Sequence, residues 1–296
     1  MPRILARAGA VPAVHAADGE TIVPGRIYVA PPDVHLLFEG NTIRLVRGPR
    51  ENGNRPAVDP MFRSAAIAFG PRVIGVVLSG NLDDGTAGLA AIKRRGGIAI
   101  AQDPEDALFP SMPQSAIRDV AVDHVVAVRQ LVPLLAELIE KPIVEGDRPV
   151  SSDDATENEL SAGNLDAIEQ PERHPGHVSP YSCPDCGGVL WELKDGELMR
   201  FRCRVGHAWT SDALVGRQTD TFDEALWTAL RALEENAALS RQLAARHRKR
   251  GMERLAERMD EQASLVQARA DLIRRALAQT NRVDAVDEDR PKAAGD

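Results

Sequence analysis

Two groups of residues in this chain have the types and the spacing for chemistry. The first is the adjacent pair Asp83 and Asp84, in the stretch VVLSGNLDDGTAGLAAIKRRGG over residues 76–97. An apolar run meets two acids and a glycine, and a helical pattern begins at once. Such a loop, at the C-terminal end of a parallel strand, is where open α/β sheets place their ligands and reacting groups. Two roles fit. One acid accepts hydrogen bonds from first-turn N–H groups, while Lys93, Arg94 and Arg95 complement the other end of the helix. Alternatively, an acid there orients a catalytic base. The second group takes in every cysteine of the chain: Cys183-x2-Cys186, sixteen residues, then Cys203-x3-His207. Two knuckles of this spacing supply three thiolates and an imidazole to a tetrahedral structural zinc ion, and a closed set of four leaves no open position for catalysis.

The elements that must position the acids alternate in type. RIYVA, HLLFE and TIRLV read as strands, and the turn PPDV joins the first two. DPMFRSAAIAFG reads as a helix with Asp59 as cap, Pro60 at its first position and Gly70 as stop. RVIGVVLS is nearly all apolar, as a strand covered on both faces must be. Then come the helix TAGLAAIKRR, the strand GIAIAQ, the helix MPQSAIRD, the strand VDHVVAV and the helix QLVPLLAELIEK. The alternation predicts an α/β domain with a mostly parallel sheet over residues 1–140.

Residues 141–179 are rich in Asp, Glu, Ser and Pro and poor in large apolar side chains, which predicts a disordered linker. A zinc-ribbon follows over 180–210, its strands VLWEL and LMRFR turning at KDGE. Over 211–279, Phe222, Leu226, Ala229 and Leu233, then Leu255, Met259, Val266, Ile273 and Leu277, keep helical spacing, with a break at Gly251. An antiparallel helical hairpin is expected there, and a disordered tail over 280–296. The net charge of −8 argues against a surface built to coat nucleic acid. No apolar run reaches the ~18 residues of a membrane span, and the N-terminus lacks a signal peptide's apolar block. A cytoplasmic protein without membrane insertion is expected.

The stretches GRIYVAPPDVHL, RPAVDPMFRSAA, GVVLSGNLDDGTAGLAAIKRRGGIAIAQDPEDALFPSMPQSAI and VDHVV occur in one order over most of residues 17–127. They resemble the catalytic domain of the chemotaxis protein-glutamate methylesterases, the CheB family. The resemblance implies a doubly wound α/β fold, hydrolysis of glutamate methyl esters on chemoreceptors, and a Ser-His-Asp triad whose acid lies in a TGMGxDG loop. Asp84 aligns with that acid, which would hold a histidine in one tautomer while a serine attacks the ester.

The family's nucleophile turn, GxS[TA]GG, and its histidine both precede the block that begins near Ala17, and no G-x-S-x-G occurs in the chain. Ser64, Ser111 and Ser115 fall on or beside helices, and Ser79 aligns with a family position that is not the nucleophile. His15, on an edge strand, and His35, near the cleft, are replacement bases by residue type only. The family's Met-Gly before the acid is here Asn81-Leu82. The expectation is therefore a methylesterase chain that is inactive as written, through truncation of its coding sequence or through real loss, with a non-catalytic interaction protein as the alternative. The family's phosphorylated receiver domain is not expected in these residues either.

The ribbon and the DEALWTALRALEENAAL stretch resemble a C-terminal extension of some family members. Arg200, Arg202 and Arg204 alternate along the second ribbon strand and should share one face, which reads either as a solvated strand face or as a nucleic-acid contact. The acidic balance of the chain favours the first. Leu226, Leu230 and Leu233 span a wider face than one partner helix hides, which predicts self-association or a protein partner.

Overall fold

The computed structural model describes residues 1–143, 149–164, 176–195 and 198–288. The chain divides into two compact units, Met1–Arg217 and Gln218–Asp296.

In the first unit, helix α1 (Pro2–Ala8) leads into β1 (Ala13–His15), which pairs in parallel with β2 (Ile27–Val29). Strands β3 (His35–Glu39) and β4 (Thr42–Val46) form an antiparallel hairpin. After α2 (Val58–Phe69) and a single 3₁₀ turn come β5 (Ile74–Val77), α3 (Thr86–Arg94), β6 (Ile98–Gln102), α4 (Ser111–Asp119), β7 (His124–Val126) and α5 (Val128–Glu140). Strands β5, β6 and β7 lie side by side in that order, all parallel. Helices between successive strands are what parallel pairing demands, so the α/β expectation holds. The core between this sheet and its helices is built from Phe62, Val77, Leu89, Ile92, Ala99 and Ala101, with smaller residues around them.

The start of α2 differs from the sequence reading. The helix begins at Val58 after Ala57, which offers no capping side chain, so Asp59 lies inside the first turn instead of before it. Gly70 ends the helix as expected, at φ 54°.

The segment expected to be a disordered linker contains α6 (Ser152–Ser161), capped by the Ser151 hydroxyl, which accepts from the N–H of Asp154. Its composition hid it because Glu157 and Ser161 are buried by polar partners distant in sequence, Arg63 and Glu51 among them. Residues 144–148 and 165–175 lie outside the described residues. The cysteine-bearing segment is larger than a two-stranded ribbon. β8 (His177–Ser182), β9 (Val189–Asp195), β10 (Leu198–Cys203) and β11 (Ala208–Thr210) form one antiparallel sheet in the order β11-β10-β9-β8. The expected turn lies partly outside the described residues, at 196–197. This sheet belongs to the first unit and pairs with it directly, through a parallel bridge between Glu51 and Ala208.

Helix α7 (Ser211–Lys249) starts in the first unit and runs through the second, where it is followed by α8 (Glu253–Glu288). The break falls at Gly251, at φ 75°. Buried residues, mostly alanine, recur along both helices at seven-residue spacing, Leu230, Ala237 and Ala244 on one and Ala256, Ala263, Ala270 and Leu277 on the other. This is a coiled-coil seam built mainly of alanine, with Leu230 and Leu277 among its members. Ion pairs Arg248–Asp260 and Arg274–Glu234 fix the antiparallel register. α8 continues to Glu288, past the point where disorder was expected, because no glycine or proline interrupts it before Pro291. Residues 289–296 lie outside the described residues. No helix among the described residues is long and apolar enough to cross a membrane.

Candidate active site and metal centre

β5 delivers the chain into the loop Ser79–Gly85, and the loop turns on two residues with positive φ, Leu82 at 63° and Gly85 at 95°. That turn points Asp84 away from its own helix. Its carboxylate accepts from the N–H groups of Val58 (2.9 Å) and Asp59 (3.3 Å), at the start of α2. Asp59 in turn accepts from the N–H of Gly88 in the first turn of α3 (2.7 Å). Each helix is therefore capped by the other's acid. Gly88 makes the close approach possible, since a Cβ there would lie 2.5 Å from Cβ of Phe62.

The acids are unusually poor at holding charge. Burial, then the neighbouring Asp59 carboxylate, pushes Asp84 up to about 8. Burial likewise lifts Asp83 to about 7, against the hydrogen bond of the Thr210 hydroxyl, and one oxygen of Asp83 is buried without a hydrogen-bond partner. Burial also raises Asp59. With both backbone donors aimed at it, Asp84 still fails to reach the ordinary carboxylate range, because desolvation and a second acid outweigh two hydrogen bonds.

No serine or histidine is recorded as a hydrogen-bond partner of Asp84 among the described residues. His35 is fully buried and has both ring nitrogens in use: Nε2 donates to the Pro49 carbonyl at 2.9 Å and Nδ1 accepts from the Ala57 N–H at 3.2 Å. Burial lowers its pKa, so it stays neutral. A histidine fixed in this way braces the entry to α2 and has no nitrogen left to act as a base. His15 stands exposed on edge strand β1, near the Val29 carbonyl. The serines are engaged locally: Ser64 with the Met61 carbonyl, Ser111 with the Gly80 carbonyl, and Ser79 with the N–H of Phe109. Ser115 is buried on α4.

Next to the acids lies a buried ion network that sequence reasoning missed. Glu51 pairs with Arg63 (3.0 Å) and Arg202 (3.1 Å), and Glu157 pairs with Arg63 (3.2 Å) and Arg200 (2.7 Å). The Ser161 hydroxyl donates to Glu51 and accepts from Arg63. Burial alone would raise both glutamates, but the arginines outweigh it: they hold Glu51 far below the usual range and Glu157 at about 2. The reading of Arg200 and Arg202 as a solvated face is thus corrected. They do share a face of β10, but that face is turned inward, and their exposures are 5% and 0%. Arg204 lies beyond the strand end and is exposed. Two of the three charges proposed for nucleic acid are therefore already neutralised.

The four metal-binding candidates do come together. One ligand atom from each of Cys183, Cys186, Cys203 and His207 lies within 4.8 Å of the others. Cys186 Sγ stands 3.7 Å from Cys203 Sγ, and His207 Nδ1 stands 3.7 Å from Cys183 Sγ and 3.5 Å from Cys203 Sγ. Bonds of about 2.3 Å to sulfur and 2.0–2.1 Å to nitrogen, at tetrahedral angles, place donors roughly 3.5–3.8 Å apart. The set fits. Two matching turns hold it: Gly187 N–H donates to the Cys183 carbonyl (2.8 Å) and Gly206 N–H to the Cys203 carbonyl (2.9 Å), with positive φ at both glycines. Cys183 and Cys203 are coupled: the hydrogen bond between them lowers the Cys183 thiol and raises that of Cys203.

Comparison with known proteins matches residues 1–135 to the family described as CheB methylesterase. A Leptospira interrogans "Putative protein-glutamate methylesterase/protein-glutamine glutaminase" is 39% identical over 137 residues, which make up 46% of this chain and 71% of that protein. A Pyrococcus abyssi "Protein-glutamate methylesterase/protein-glutamine glutaminase" is 40% identical over 129 residues, 42% of this chain and 35% of that protein. The solved Thermotoga maritima CheB methylesterase catalytic domain is 33% identical, with a TM-score of 0.45, covering 46% of this chain and 75% of that one. The chain belongs to the CheB methylesterase family. It spans about a third of the longer Pyrococcus relative.

Proposed function

We propose that the first unit carries the acid of a protein-glutamate methylesterase site, Asp84, and that these 296 residues alone do not hydrolyse glutamate methyl esters on chemoreceptors. The observation that carries this reading is Asp84's position: in the loop after β5, as the family's acid is, yet bonded to two backbone N–H groups instead of an imidazole. An orienting acid must be ionised to stabilise an imidazolium, and burial beside Asp59 keeps this one protonated near neutrality. His35 is held in a structural role. The protein therefore acts as a non-catalytic partner of chemosensory proteins in the cytoplasm, or as the acid-bearing part of a site that other residues complete. The test is methanol release from methylated chemoreceptor: none above the protein-free rate is expected, and serine-dependent turnover would refute the reading.

The second part of the proposal is that Cys183, Cys186, Cys203 and His207 bind one structural zinc ion and make the β8–β11 sheet a zinc-ribbon. The donor separations support it, as does the absence of any disulfide among the cysteines. Bound there, zinc would supply cross-linking and no chemistry, since all four positions are filled by the chain. Metal analysis of reduced protein should give one equivalent, and less than half an equivalent counts against it.

For the helical hairpin we propose self-association or a protein partner. Phe222, Trp227, Leu239, Leu265 and Leu272 are each more than half exposed on α7 and α8, which supports a surface still to be covered.

A further inference from the structure

We propose that the β8–β11 sheet is a metal-locked cover on the acid site: with its four donors closed on an ion it is held against Glu51, Asn52 and the start of α2, and loss of the ion releases it and opens Asp83 and Asp84 to water. The inference rests on the reading of the four donors as a metal site.

The second knuckle, Cys203 to His207, is the point of attachment. On one side of it, Arg202 donates through Nη1 to the Gly206 carbonyl inside the knuckle (2.8 Å) and through Nη2 to Glu51 (3.1 Å). A single guanidinium thus ties the shape of the knuckle to the α/β domain. On the other side, Ala208 follows His207 directly. Its N–H donates to the Arg50 carbonyl (3.2 Å), and its carbonyl accepts from the Asn52 N–H (2.8 Å).

Asn52 passes the contact on. Its Oδ1 accepts from the Thr210 N–H (3.0 Å), and its Nδ2 donates to the Asp59 carboxylate (2.9 Å). The N–H of Asp59 donates to Asp84. Ligand, strand β11, Asn52, Asp59 and Asp84 are therefore consecutive links in one bonded path, and every link after the ligand is buried. Trp209 is buried beside the path, its ring within contact distance of a Cβ on Gly53.

The metal is what gives the cover its shape. The apolar cluster of the sheet contains Cys183 and Cys203 themselves, with Leu190, Phe201 and Trp209. An ion on the four donors would tie the β8–β9 turn, which carries Cys183 and Cys186, to the β10–β11 turn, which carries Cys203 and His207. Without that cross-link the knuckle that positions Arg202 and Ala208 relaxes.

The full chain is tested by hydrogen exchange and mass spectrometry, zinc-loaded and then stripped by a chelator under reducing conditions, with zinc stoichiometry measured in parallel. One zinc per chain is expected, and on stripping the amides of residues 51–59 should exchange about tenfold faster or more, together with those of the knuckles, and recover when zinc is restored. A second arm uses Glu51→Gln, which keeps all four donors: it should bind zinc fully, yet show loosened exchange at 51–59 in the loaded state. If stripping loosens the knuckles while 51–59 keep their protection, the cover is not metal-locked and the inference falls alone. A stoichiometry below half an equivalent overturns the metal reading and the inference together.

Discussion

Asp84 and Asp59 cap each other's helices: Asp84, at the entry to α3, accepts from the first N–H groups of α2, and Asp59, in α2, accepts from the first turn of α3. The exchange locks the two helices at their N-termini and occupies, for the purpose, the acid proposed above for the methylesterase site. Replacing Asp84 by Ala leaves two N–H groups without an acceptor. At pH 6 this should cost about 1–2 kcal/mol in urea unfolding, whereas Asp84→Asn, which keeps an acceptor, should cost clearly less.

The acids also set a pH window. Asp83 and Asp84 are raised to about 7 and about 8, so between the ordinary value near 3.8 and those values the folded state holds protons that the unfolded chain has released. Stability must then fall as pH rises through that range. Glu51 and Glu157 act oppositely: lowered by their arginines, they lose their contribution as pH falls below the ordinary glutamate value of 4.5. Thermal unfolding should show a maximum near pH 5, and Asp84→Asn should flatten the alkaline side only. A plateau from pH 5 to 8 would contradict this assignment.

Leu82 occupies the left-handed region, at φ 63°, and its side chain is substantially exposed. A side chain in that conformation costs roughly 1 kcal/mol. Leu82→Gly is expected to leave the protein no less stable and to gain up to about that amount, partly offset by the greater freedom of glycine in the unfolded chain.

The burial of Glu157 between Arg63 and Arg200 predicts a large effect where composition predicted none. Removing one partner of a buried ion pair costs about 3–5 kcal/mol. Glu157→Gln should fall in that range, while the same change at exposed Glu159 should stay within about 0.5 kcal/mol.

Much of this was legible in the sequence. The parallel strands, the loop bearing Asp83 and Asp84 and the two knuckles are encoded by neighbours a few residues apart, in apolar runs, turn glycines and ligand spacing. What stayed hidden depends on partners far along the chain. Arg202 lies 151 positions from Glu51 and Arg63 lies 98 from Ser161, so neither local period nor composition marks them as buried. The same distance hid α6, whose polar residues look solvated until Arg63 and Arg200 are beside them. Asp84 illustrates the limit most directly: the sequence placed it at the right strand end, but which helix it caps follows only from the packing of α2 on α3.

The central claim, that Asp84 stands without a reactive serine and its base, is tested most directly by treating the full chain with a fluorophosphonate and measuring intact mass. An activated serine attacks phosphorus and displaces fluoride, leaving a stable adduct, whereas the hydrogen-bonded serines described above should not react. No adduct is expected, at pH 7 or at pH 9 where Asp84 is ionised. A single adduct on one serine, lost in Asp84→Asn, would contradict the account.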